Sequence, residues 1–87
     1  MPFRRSDEPE LDALTRALAV QVTAERVRRG LTQVELAALC GTTQSAVARL
    51  EKGTRPPRLD TLLRIANALD CELEVKLRPR TEMERER

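Results

Sequence analysis

The 87-residue sequence predicts an all-α domain followed by one short β-strand. Three observations carry that expectation. Apolar residues recur every three or four positions through residues 9–70, which is a helical period. Capping residues and glycines cut that stretch into four runs. From residue 71 the period changes to two, with 71, 73, 75 and 77 apolar and 72, 74 and 76 charged, as in a strand.

Residues 1–8 read as a flexible N-terminus. Pro9 suits the first turn of a helix. Glu8, Glu10 and Asp12 favour the positive end of its dipole. Leu11, Leu14, Leu18 and Val22 form an apolar stripe, and Val27 continues the packing. Arg28 and Arg29 followed by Gly30 are a stop signal. Thr32 caps a second helix, and Glu35 three residues later completes a capping box. Leu36, Ala37 and Cys40 are its inward residues. Gly41 supplies the left-handed turn that ends it. Thr42 or Thr43 caps a third helix that runs to about Lys52, with Val47 and Leu50 inward and Ala46 beside them. Gly53 stops it, and TRPPR forms a rigid loop. A fourth helix runs from Leu59 to about Leu69, with Leu59, Leu62, Ile65, Ala66 and Leu69 on its apolar side. The helical domain therefore spans residues 9–70. The strand spans 71–78 and ends at Pro79, and 79–87 form a flexible tail.

Composition excludes several kinds of function. The chain has one aromatic residue, Phe3, so its core must come from Leu, Val, Ile and Ala. It has no His and two Cys, which removes the usual zinc ligand sets and the commonest general base. There is no Gly-rich phosphate loop, and Ser45 has no neighbour that could activate it. No catalysis, metal or cofactor is expected. Cys40 and Cys71 read as small hydrophobes in a reducing compartment. No run of 18 apolar residues is present, and the first residues lack the apolar stretch of a signal peptide. The expected location is cytoplasmic, without membrane contact.

Charge is unevenly spread although the net charge is only +2. Residues 26–58 hold Arg26, Arg28, Arg29, Arg49, Lys52, Arg55 and Arg58 against only Glu35 and Glu51. The segments on either side are slightly acidic. A concentrated basic segment of this kind is the electrostatic footprint of a nucleic-acid surface.

That basic segment contains two short helices joined by a Gly-containing turn, the pattern of a helix-turn-helix. Isolated helices shorter than ~12–15 residues are marginal, so the other two helices must cover their inward faces. The break lets the second of the pair protrude. A protruding helix with short polar residues and an arginine fits the DNA major groove, ~12 Å wide.

TQVELA, GTTQSAVARLEKG and LDTLLRIANAL, within residues 26–70, resemble the Cro/repressor-type (XRE) helix-turn-helix family. The resemblance implies a λ-repressor-like helical DNA-binding domain. By position, it implies that Gln33 opens the second helix and bonds a phosphate. It implies that Thr43, Gln44 and Ser45 begin the recognition helix and read base edges, with Arg49 one turn further on. The chemistry agrees: Gln pairs with adenine and Arg with guanine, each worth ~1–3 kcal/mol of discrimination. Lys52, Arg55 and Arg58 flank the third helix and suit phosphate contacts. Arg26 and Glu51 fall where some members hold an ion pair between the first helix and the end of the third. Arg58 stands where relatives often place a Ser cap, and Asp60 would compensate through the helix dipole. Asp70 stands where relatives often have Gly, and Asp tolerates the left-handed turn.

A lone strand leaves backbone groups unpaired. The economical partner is the same strand of a second copy, through Leu73, Val75 and Leu77. That arrangement predicts a homodimer reading a palindromic operator in double-stranded DNA. Small XRE proteins of this outline resemble the antitoxins of type II toxin–antitoxin modules, of the HigA and HipB kinds. That resemblance implies autorepression and a toxin partner. A stand-alone repressor, or a protein-interaction adaptor on the same scaffold, are the alternatives.

Overall fold

The computed structural model describes residues 9–81, so the flexible end expected at 1–8, and residues 82–87 of the tail expected at 79–87, lie outside the described residues. Four helices follow in order: α1 (Pro9–Arg28), α2 (Gln33–Cys40), α3 (Gln44–Lys52) and α4 (Leu59–Ala68). Local chemistry sets each boundary. The Thr32 hydroxyl accepts from the Glu35 N–H, and the Glu35 carboxylate accepts from the Thr32 N–H, a complete capping box. Gly41 takes φ +69 and closes α2. Two residues later Thr43 opens α3, its hydroxyl accepting from the Ala46 N–H at 3.1 Å. Arg58 precedes α4 without a side-chain cap. Asp60 takes over part of that role, its carboxylate accepting from the Thr61 N–H at 2.8 Å. Asp70 adopts φ +54 just after α4.

The core is aliphatic, with a cysteine among its members. Val22, Leu36, Ala37, Cys40, Val47, Leu50, Ile65 and Leu69 form one buried cluster, with Leu31, Ala68 and Cys71 packed against it. It receives α2 and α3 on their expected sides and holds α4 across α2. Neither cysteine is in a disulfide, and burial pushes the Cys40 thiol pKa up.

The inward face of α1 differs from the expected leucine stripe. Thr15, Ala19 and Val22 are buried, while Leu14 is exposed and Leu11 and Leu18 are half-buried. Close approach explains the change. A β-carbon built on Gly53 would stand 3.1 Å from Ala19 Cβ, so α1 crosses the end of α3 with the small Ala19 at the closest approach. Thr15 tolerates burial because its hydroxyl donates to the Leu11 carbonyl at 2.8 Å. Val27 and Leu59 also point to solvent rather than inward. At the lower end of α1 it is Arg26, not Val27, that reaches across to α3.

The C-terminal strand is not formed. Residues 71–81 carry no strand, so the described chain is all-helical. Leu73 is half-buried beside α1, while Val75 and Leu77 are exposed. The two-residue alternation sets side-chain period only. A strand also needs a backbone ladder, and no other extended segment offers one among the described residues.

Candidate nucleic-acid interface

α3 presents two opposed faces. Val47 and Leu50 are buried, while Gln44, Ser45, Arg49 and Lys52 are exposed. At 3.6 residues per turn, those four polar side chains fall within an arc of about 140°. Thr43, at the head of the helix, is exposed too, but its hydroxyl is engaged as the cap. Arg55 and Arg58 follow α3 and are exposed. Arg58 lies 3.3 Å from Asp60, a solvated pair that leaves its charge accessible. Arg49, Lys52 and Arg55 have no ion-pair partner among the described residues.

A chain of hydrogen bonds ties Gln44, at the head of this surface, to α2 and α1. Gln44 Nε2 donates to Gln33 Oε1 at 2.8 Å. Gln33 Nε2 donates to Glu51 Oε1 at 3.1 Å. Arg26 grips Glu51 with two bonds, Nε to Oε2 at 2.7 Å and a terminal nitrogen to Oε1 at 3.0 Å. Its other terminal nitrogen donates to the Leu31 carbonyl at 2.7 Å. The relay joins the first residues of α2 and α3, the last turn of α3 and the last turn of α1. The ion pair is largely buried, with side chains 15% and 6% exposed. Burial alone would raise the Glu51 pKa. Hydrogen bonds from Arg26 and Gln33 outweigh it and hold the carboxyl below its ordinary 4.5. The same pair raises the Arg26 pKa.

This geometry orients amides. Each Gln Nε2 carries two hydrogens, and each uses one in the relay. Gln44 therefore keeps its second N–H and its Oε1 for outward use, the donor and acceptor that an adenine edge matches. Gln33 keeps one N–H, which suits a phosphate oxygen. Sequence reading placed Gln33, Gln44 and Glu51 separately. Their mutual contact has no signal in spacing, because the partners lie 11 and 18 residues apart. Leu73, Val75 and Leu77 lie away from this surface, along the segment that leaves α4, where Leu73 meets α1. Among the described residues, no three His, Cys, Asp or Glu side chains group as a metal site. No described helix is long and apolar enough to cross a membrane.

A helix-turn-helix family model matches residues 22–76, which take in the whole of this relay and the exposed face of α3. The chain belongs to the XRE-type helix-turn-helix family. Two relatives share about the same length of sequence with this family member. One is an uncharacterized HTH-type transcriptional regulator of Sinorhizobium fredii, 39% identical over 59 residues. That match covers 68% of this chain and 30% of the relative. The other is an uncharacterized HTH-type transcriptional regulator of Haemophilus influenzae, 36% identical over 59 residues, covering 68% of this chain and 60% of the relative. The chain thus spans less than two thirds of either relative.

Proposed function

We propose that this chain is a DNA-binding transcriptional regulator that reads bases with α3. The observation that carries the reading is the polar and cationic face of α3, with Gln44 at its head held by the Gln33–Glu51–Arg26 relay. Gln44, Ser45 and Arg49 would contact base edges, with Thr43 as cap and entry point. Gln33, Lys52, Arg55 and Arg58 would contact phosphates. The names of both relatives as transcriptional regulators support the reading.

The finer reading is an autorepressor that binds a palindrome as a homodimer and serves as the antitoxin of a type II module. Family outline supports the antitoxin role, and exposed apolar side chains on α1 and beyond α4 support a protein partner. The experiment is selection of bound duplexes from a random-sequence pool, followed by anisotropy titration of the winner and a scrambled duplex. A preference of ~10³-fold or more is expected of a sequence-reading protein. Equal affinity for both duplexes would overturn the base-reading role of α3. A palindromic winner that recurs upstream of the chain's own gene would support autorepression.

A further inference from the structure

The first 13 residues of α1, 9–21, lie outside the family match, which begins at residue 22. Two of them, Arg16 and Ala19, nevertheless lie against Gly53, the buried residue that ends the recognition helix. A β-carbon built on Gly53 would stand 3.5 Å from Arg16 Cα and 3.7 Å from Arg16 Cγ. Arg16 therefore lies directly against the residue that ends the recognition helix. Lys52 precedes that residue in sequence, and Arg55 follows it by two.

Arg16 differs from the other described cations of the α1 region. Arg26 is committed to Glu51 and the Leu31 carbonyl. Arg28 and Arg29 both pair with Glu25, at 2.9 and 3.8 Å. Arg16 is exposed and has no ion-pair partner among the described residues. Its stem is held against Gly53, so its position relative to α3 is fixed while its charge remains in solvent.

We propose that Arg16 is a phosphate contact, which carries the DNA interface from α3 onto the N-terminal part of α1. Together with Lys52 and Arg55 it forms a cationic rim around the C-terminal end of the recognition helix. The proposal rests on the DNA-binding reading. A phosphate contact adds affinity without adding base discrimination. It also adds a defined salt dependence, a slope of about 0.9 in log affinity against log salt for each contact on duplex DNA.

The test compares Arg16→Met, which keeps most of the stem and removes the charge, with Arg16→Lys, which keeps the charge. Anisotropy titrations from about 50 to 200 mM salt use the selected duplex and a scrambled one. For Arg16→Met the slope should fall by about 0.9 per bound chain on both duplexes, while their affinity ratio stays constant. The advantage of the unsubstituted chain should then shrink about 3- to 4-fold across that salt range. Arg16→Lys should keep the slope. Arg64→Met is the control for general charge, because Arg64 is exposed on α4, where its carbonyl lies by Cys40 rather than Gly53. An unchanged slope for Arg16→Met would overturn the proposal, as would an equal drop for Arg64→Met. Absence of salt-dependent binding by the unsubstituted chain would instead sink the DNA reading itself, before any variant is compared.

Discussion

Glu51 accepts hydrogen bonds from both Arg26 and Gln33, so one carboxylate anchors α1, α2 and α3 together. Removing it leaves a largely buried guanidinium without its partner. Glu51→Ala should therefore lower unfolding free energy by about 3 kcal/mol, measured by urea denaturation. Acid should do the same reversibly. The folded-state pKa lies below the ordinary 4.5 to which the unfolded chain returns. The stabilisation is thus fully present above about pH 4.5 and is lost as pH falls through the folded value. Arg26 stays charged throughout, so protonating Glu51 strands it. Glu51→Gln should flatten that part of the stability–pH curve, and a curve of unchanged steepness would show that other carboxylates dominate. The neighbouring Arg49 makes a different prediction, because it is exposed and has no ion-pair partner among the described residues. Arg49→Ala should lose ~1–3 kcal/mol of discrimination at one base pair and leave folding intact. Titration of single-base variants of the selected duplex checks this, and an unaltered preference at every position would remove Arg49 from base readout.

Helix ends were legible in the sequence because each rests on a short-range interaction. Thr32 with Glu35, Gly41, and Asp70 with its left-handed turn all act within a few residues. The inward residues of α3 were legible for a similar reason, since that short helix sets Val47 and Leu50 against a polar face, whereas α2 leaves apolar Val34 and Leu39 exposed as well. α1 was misread because its packing is governed by a crossing that no local pattern encodes. Where α1 meets Gly53, the close approach brings Ala19 inward with the Arg16 stem beside it, and Leu14 is left exposed. The strand was misread because period is local while pairing is not. The Arg26–Glu51 contact became visible only through the family resemblance, and the Gln33–Gln44 contact not at all, since both join positions on different helices. The crossing itself can be tested. Gly53 takes φ +74, and any β-carbon there meets Ala19. Gly53→Ala should destabilise the chain by about 2 kcal/mol from the backbone conformation alone. For a domain of this size that lowers Tm by roughly 10 °C, readable by circular dichroism. A drop no larger than that would mean that α1 moves aside freely, since the contact with Ala19 would then add nothing to the backbone cost.

For the whole molecule, α3 presents polar side chains, while exposed apolar ones stand on α1, α2, α4 and the segment after α4. Leu14 on α1 is 56% exposed, Leu63 on α4 is 51%, and Val75 and Leu77 beyond α4 are 70% and 100%. Between α1 and α4 runs a groove of about 330 Å³ lined by Leu18, Leu62, Ile65, Leu69 and Leu73. Single exposed apolar residues are ordinary on any protein. Their spread over α1, α4 and the segment after α4 gives the homodimer proposal its physical basis without any paired strand. A two-fold dimer would present two copies of α3, and these reach successive major grooves only when about one helical turn, ~34 Å, separates them. Standard interfaces bury ~800 Å² on each partner, so a dimer contact would have to gather several of these side chains at once. Charges placed at these positions should then act at a distance on DNA binding. The double variant Leu14→Asp, Val75→Asp should shift the mass seen by light scattering from two chains towards one. Its affinity for a palindrome should fall to that of a half-site, while base preferences within the half-site stay the same. A mass unaffected by the substitutions would place the dimer contact elsewhere. A monomeric mass for the unsubstituted chain would leave α3 reading a single site, and the palindrome would then have no structural cause.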